Sequence, residues 1–453
     1  MNKTERKESI WRKEFHFPVG GLLARLPENA SRYPAAVGTA LFILSPALMA
    51  VLAMIHRSID YTLLTYPVMV RRWVYPLSVV CFIIAALLEL GQMRFQRRSV
   101  KGWLWQNPIF LVDGFIVLWM IVSQLRNGLE YAIGGYYEIT REETFLMQVG
   151  YFAVLFPMGA MVGERGKRWL IRLHLMVSLI LVLAAFVLWH SQTVSVFFYD
   201  WVPQFSSIYT NINYYAYYLS IAVPLAAAAF VDEPAPGWRA LGLAAVIANA
   251  SALSINNTMG GWVGCTLAMG FLIASHRILE GRFNRRTLLV AGVFVVCLYL
   301  PGHFLGNFEG NFFKLFSDVS KVLTNGEEVE RAGSGRWGIW LGALKLIGEN
   351  PVFGIGFEGV AFRSLKDSMF DSIRPHNEWM QHALFYGIPA AVAWFAMGLG
   401  ICVRALRKRA TLDRWTLMCL TGVFGYLVGA MFGLTLFATA PLLFLFLGMG
   451  YVR

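Results

Sequence analysis

The chain has 453 residues, of which 57% are hydrophobic, 15% aromatic and only 15% charged, and its mean hydropathy is +0.54. That composition excludes an average soluble domain, and the apolar residues recur in blocks of roughly 15–22 separated by short polar segments, as in a polytopic helical bundle. The net charge of +12 does not mark a nucleic-acid patch, because Lys and Arg collect in segments that fall on one side of the proposed spans.

Residues 1–34 carry seven Lys and Arg and no cleavable secretory pattern. With Trp11, Phe15, Phe17, Leu22 and Leu23, this stretch either lies on the inner membrane surface or leads in as a disordered basic segment. Runs long enough to cross about 30 Å of hydrocarbon predict helices over 35–55, 74–91, 108–124, 145–163, 169–190, 213–231, 239–254, 258–275, 287–304, 382–403, 415–432 and 434–452. The expected fold is all-α: a polytopic membrane protein with about twelve transmembrane helices and one long extracytoplasmic loop. The basic excess places both termini in the cytoplasm. The expected divisions are the basic segment 1–34, helices one to nine in 35–304, a loop domain over 305–381, and helices ten to twelve in 382–453.

Cys81, Cys265, Cys297, Cys402 and Cys419 all fall in predicted spans, so neither a disulfide framework nor a cysteine metal site follows. No internal repeat is visible, which speaks against a two-halved transporter. Ionisable residues are nearly absent from the spans. Glu89 and Asp113 lie within a turn or two of predicted cytoplasmic ends and read as interfacial carboxylates.

The segment 305–381 is too long for a connector and reads as a small outer domain. Glu327, Glu328 and Glu330 form a local acidic run, read as solvated surface rather than a divalent-cation site. After Gly333-Ser334-Gly335-Arg336, the spacing of Trp337, Trp340, Leu341, Leu344 and Ile347 predicts a helix that packs flat on the membrane surface or the bundle, stopped by Asn350-Pro351. Val352–Gly359, with glycines alternating with apolar residues, is a tight turn or a phosphate cradle, and no Lys-Ser or Lys-Thr pair follows it. Arg374-Pro375-His376-Asn377-Glu378-Trp379 then runs into the tenth span, placing an imidazole on the first turn of a helix at the outer membrane edge beside an arginine. His382 lies six residues on, off the helical face a metal pair would need.

The series Ser334-Gly335-Arg336-Trp337…Trp340…Ala343…Asn350-Pro351…Gly354-Ile355-Gly356…His376-Asn377…Gly387-Ile388 resembles the O-antigen ligase and polymerase superfamily of bacterial membrane glycosyltransferases. Asn211-Ile212-Asn213-Tyr214-Tyr215, opening the sixth span, resembles another segment of that family. The resemblance implies transfer of a glycan from an undecaprenyl diphosphate carrier on the outer face of the cytoplasmic membrane. The lipid stays in the bilayer. His376 matches the histidine that takes the acceptor proton, and Arg336 an arginine that engages the carrier diphosphate. Asn377 and Asn213 stand as supporting residues. No metal or other cofactor is implied, and inversion at the sugar carbon follows from the family alone.

Two positions depart from the family pattern. Asn257-Thr258-Met259-Gly260-Gly261-Trp262 lacks the arginine that many relatives carry there, leaving Arg374 or Arg363 to supply a second positive charge. Phe385 stands where relatives often have an acidic residue. The leading reading is an O-antigen ligase-like transferase whose acceptor is lipid A core, another lipid-linked chain as in a polymerase, or a protein hydroxyl as in an oligosaccharyltransferase. A polysaccharide flippase, and a relative that binds carrier lipid without catalysis, are the alternatives.

Overall fold

The computed structural model describes residues 27–55, 69–128, 143–190, 205–305, 308–324, 329–357, 359, 374–408, 412–433 and 439–452, with single exceptions at 28, 97, 210 and 282. The basic N-terminal segment, Glu327, Glu328 and Arg363 lie outside these residues.

The protein is an all-α polytopic membrane protein, with no strand among the described residues. Among the described residues, ten helices are long and apolar enough to cross a membrane. In chain order the elements are α1 (Arg32–Ile55), α2 (Tyr75–Phe95), α3 (Val100–Gln106), α4 (Ile109–Asn127), α5 (Phe145–Met161), α6 (Glu164–His190), α7 (Ile212–Asp232), α8 (Pro236–Asn256), α9 (Met259–Glu280), α10 (Arg285–Leu305), α11 (Phe308–Thr324), α12 (Arg336–Glu349), α13 (Glu378–Tyr386), α14 (Ile388–Arg407), α15 (Arg414–Gly429) and α16 (Ala440–Met449). Each of the twelve predicted spans falls on an apolar helix, but α5 and α16 are shorter than a full crossing. A π turn at Tyr151–Leu155 interrupts α5, and α16 begins only at Ala440-Pro441.

The tenth span is also divided. The sequence predicts one helix over 382–403, whereas α13 ends at Tyr386 and α14 starts at Ile388. Gly387 between them has φ +87°, and a Cβ there would collide with the Val352 carbonyl. The chain bends because the turn after α12 presses into that gap.

α7 is almost wholly buried at the centre, packed against α8, α9 and α15. With little hydrophobic force between helices in lipid, close approach of backbones supplies the packing. A Cβ on Gly425 of α15 would strike the Ser220 carbonyl of α7, and one on Gly448 of α16 the Phe156 carbonyl of α5. α2 and α10 lie at the rim and expose Leu77, Val80, Leu87, Leu288, Leu289 and Val295.

One end of the bundle is fastened by charge. Arg172 of α6 makes a bidentate pair with Glu233 at 2.6 and 3.2 Å, and Lys167 meets Thr416 at 2.7 Å and Asp413 at 3.6 Å. His276 lies between Asp232 and Glu280. Glu89 accepts a 2.6 Å hydrogen bond from Ser31, while Asp113, about one turn into α4, is buried at 4% exposure. All five cysteines are free.

Candidate functional site

The opposite end carries the residues singled out in the sequence. Gly333, Ser334 and Gly335 all have positive φ, at 64°, 60° and 83°. This left-handed turn costs a non-glycine residue about 1–2 kcal/mol, and two of its three positions are glycine. It makes Arg336 the first residue of α12. A guanidinium there joins its charge to the positive end of a helix, a corner that attracts anions.

Arg336 lines a groove of about 240 Å³ with Trp337, Trp340, Met259, Gly260 and Phe432. The arginine-less segment at 257–262 therefore borders the same groove. A second, apolar groove of about 600 Å³ lies across the two tryptophans, bounded by Leu341, Leu344, Asn377, Trp379, Val392 and Phe395. Of the apolar stripe of α12, Ala343 and Ile347 are buried against the bundle, while Leu341 and Leu344 stay exposed along the second groove.

His376 is half-buried and sits just before α13, not on its first turn, with φ +50°. Three contacts hold the backbone around it. On the N-terminal side the Arg374 guanidinium pairs with Glu143 at 2.6 Å, both side chains fully buried. At Pro375 the carbonyl accepts the Trp340 indole N–H at 2.9 Å. On the C-terminal side Asn377 caps α13, its Oδ1 accepting from the Met380 amide at 3.1 Å.

Glu143 uses both oxygens, since Tyr151 donates to the other at 3.0 Å. Glu378, 1% exposed, accepts from Tyr426 at 3.1 Å. A non-glycine residue in the left-handed region persists where its surroundings over-determine it, and such positions gather at functional sites.

The placement corrects some expectations. Arg374 is not poised to bind a diphosphate: its side chain has no exposed surface and its charge is met by Glu143. Its part is to anchor the residue before the imidazole. The Asn377 carboxamide oxygen is spent on the cap, and Asn213 donates its amide N–H and side chain to Asn211 at 2.8 and 2.9 Å, securing the start of α7. Phe385 is a core residue stacked edge-on against Phe357. Trp340 links the two neighbourhoods: it lines the groove of Arg336 and donates to the carbonyl of Pro375, the residue before His376.

The glycine-rich turn is a strap rather than a phosphate cradle. The amides of Ile355 and Gly356 donate to the carbonyls of Leu384 and Phe385 at 2.9 and 3.0 Å, and that of Phe357 to Gln124 at 2.8 Å. The first two satisfy late carbonyls of α13, which the helix itself leaves unpaired. From α4, Ser123 donates to the Phe353 carbonyl and Trp119 to those of Val352 and Tyr386.

Sequence reasoning missed Glu143, Tyr151, Glu378 and Tyr426. Glu378 was within sight, adjacent to His376-Asn377, but nothing in a single sequence says that its carboxylate is buried. Glu143 is 231 positions from Arg374, and no local pattern joins them.

Residues 244–395 match the family model described as O-antigen ligase. The matched segment contains Arg336, Arg374, His376 and Asn377 and leaves Asn213 outside. No curated protein matches the chain.

Proposed function

We propose that this chain, which carries an O-antigen ligase domain over residues 244–395 and falls in the O-antigen ligase/polymerase superfamily, moves a glycan from an undecaprenyl diphosphate carrier onto an acceptor hydroxyl. In this reading the reaction takes place at the extracytoplasmic face of a bacterial cytoplasmic membrane, and the basic end of the bundle faces the cytoplasm. The observation that carries it is the Trp340–Pro375 hydrogen bond, which ties the helix opened by Arg336 to the residue immediately before the half-buried His376.

His376 takes the proton of the acceptor hydroxyl, a poor nucleophile near neutral pH until a base of suitable pKa engages it. The oxygen attacks the anomeric carbon as the bond to the diphosphate breaks. The proton rests on the imidazole, and the released diphosphate meets the Arg336 guanidinium, whose planar donors suit phosphate oxygens. Direct displacement inverts the anomeric centre, with the guanidinium meeting the charge that a divalent cation would otherwise balance. The acceptor is a saccharide or protein hydroxyl; ligase, polymerase and protein-transferase chemistry share every step above.

The test uses cells lacking the gene, complemented with wild type or His376→Ala. Undecaprenyl-diphosphate-linked glycan should accumulate on the outer leaflet, surface polymer should be lost, and only wild type should reverse both. Precursor retained on the cytoplasmic leaflet would make the protein a flippase instead.

A further inference from the structure

Helix α11 inverts the ordinary rule of burial. Its exposed side chains include Phe312, Phe313, Phe316 and Leu323, the last at 80%, yet its one buried residue is Asp318, at 8% exposure. Aspartate is among the residues least often buried without a partner. Asp318 Oδ2 nevertheless has no hydrogen-bond partner among the described residues. It lines the groove that holds Arg336, Trp337 and Trp340, and no ion pair joins it to Arg336 among the described residues. The helix spends its amphipathic geometry on turning a carboxylate inward.

A carboxylate only accepts hydrogen bonds, so whatever completes it must donate. Neither a diphosphate nor a prenyl chain has a donor to give, and the diphosphate would be repelled. A sugar ring has several hydroxyl donors and apolar C–H faces, for which Trp337 and Trp340 supply flat apolar partners. We propose that Asp318 accepts hydrogen bonds from the first sugar of the lipid-linked donor, making α11 the element that selects which glycan the groove takes. The proposal rests on the glycosyl-transfer reading above, with Arg336 on the diphosphate and Asp318 on the sugar beyond it.

The full-length protein in lipid nanodiscs is titrated with undecaprenyl diphosphate, bare and bearing a single N-acetylglucosamine, N-acetylgalactosamine, glucose or galactose. Wild type should bind at least one sugar-linked form more tightly than the bare carrier. Asp318→Asn, which exchanges acceptor oxygen for an amide at equal size, should weaken that form about 10-fold, the scale of a lost charged hydrogen bond, and leave the bare carrier unchanged. Arg336→Ala should weaken both. Asp318→Glu should reorder the preference among the four sugars.

Equal losses for bare and sugar-linked carrier, no loss at all, or no preference for any sugar over the bare carrier in wild type would each overturn the role of Asp318 while leaving the transferase reading intact. If wild type binds none of the five, the transferase reading itself fails and this inference with it.

Discussion

Trp340 donates its indole N–H to the carbonyl of Pro375 at 2.9 Å, so the helix opened by Arg336 is tied to the residue immediately before His376. Both grooves are lined by this tryptophan, and its hydrogen bond holds the backbone just before the imidazole. Trp340→Phe should keep the packing, lose about 1 kcal/mol of stability, and lower turnover at least several-fold. Thermal melting in detergent beside transfer rates separates the two effects; an unchanged rate would show that the bond does not position His376.

His376 is half-buried. His376→Ala should therefore fold and insert normally while losing transfer by about 10²–10⁴-fold, the range of a general base. Donor binding, measured with undecaprenyl diphosphate, should persist. Normal transfer by this variant would remove the imidazole from the reaction.

Arg336 separates charge from geometry. Arg336→Ala should weaken carrier binding severely, and Arg336→Lys should restore only a fraction of it, because an ammonium cannot reproduce a planar fork. Full rescue by lysine would mean that the groove needs only a positive point charge.

The Arg374–Glu143 pair is fully buried, and removing one partner strands the other charge. Arg374→Ala should cost about 3–5 kcal/mol, whereas Arg374→Met combined with Glu143→Gln should recover much of the melting temperature. A double variant as unstable as the single one would mean that the charge pair is not what holds the segment before His376.

The proposed orientation turns the basic end of the bundle toward the cytoplasm. In a background without its five cysteines, Ser334→Cys should react with an impermeant maleimide from outside intact spheroplasts and Arg407→Cys only after permeabilisation; both positions are exposed. The reverse pattern would place the His376 end in the cytoplasm.

The sequence by itself determined the helical membrane fold, because hydrocarbon admits only segments that satisfy their own backbone, and that demand is written in runs of apolar residues. It also marked Arg336 and His376, whose motifs are local. Tertiary structure decided what those motifs could not carry. It broke the span at Gly387, where a strap from elsewhere in the chain left no room for a side chain. It turned the glycine-rich segment into a cap for α13 and took Arg374 out of the groove to pair with Glu143. It also turned Asp318 inward from a helix of exposed phenylalanines. Each of these depends on which buried donor meets which acceptor, from about thirty positions away for the cap of α13 to 231 for Arg374 and Glu143, or on which side of a helix faces the bundle. Periodicity and composition carry no record of such pairings, because the partners are chosen only when the helices pack.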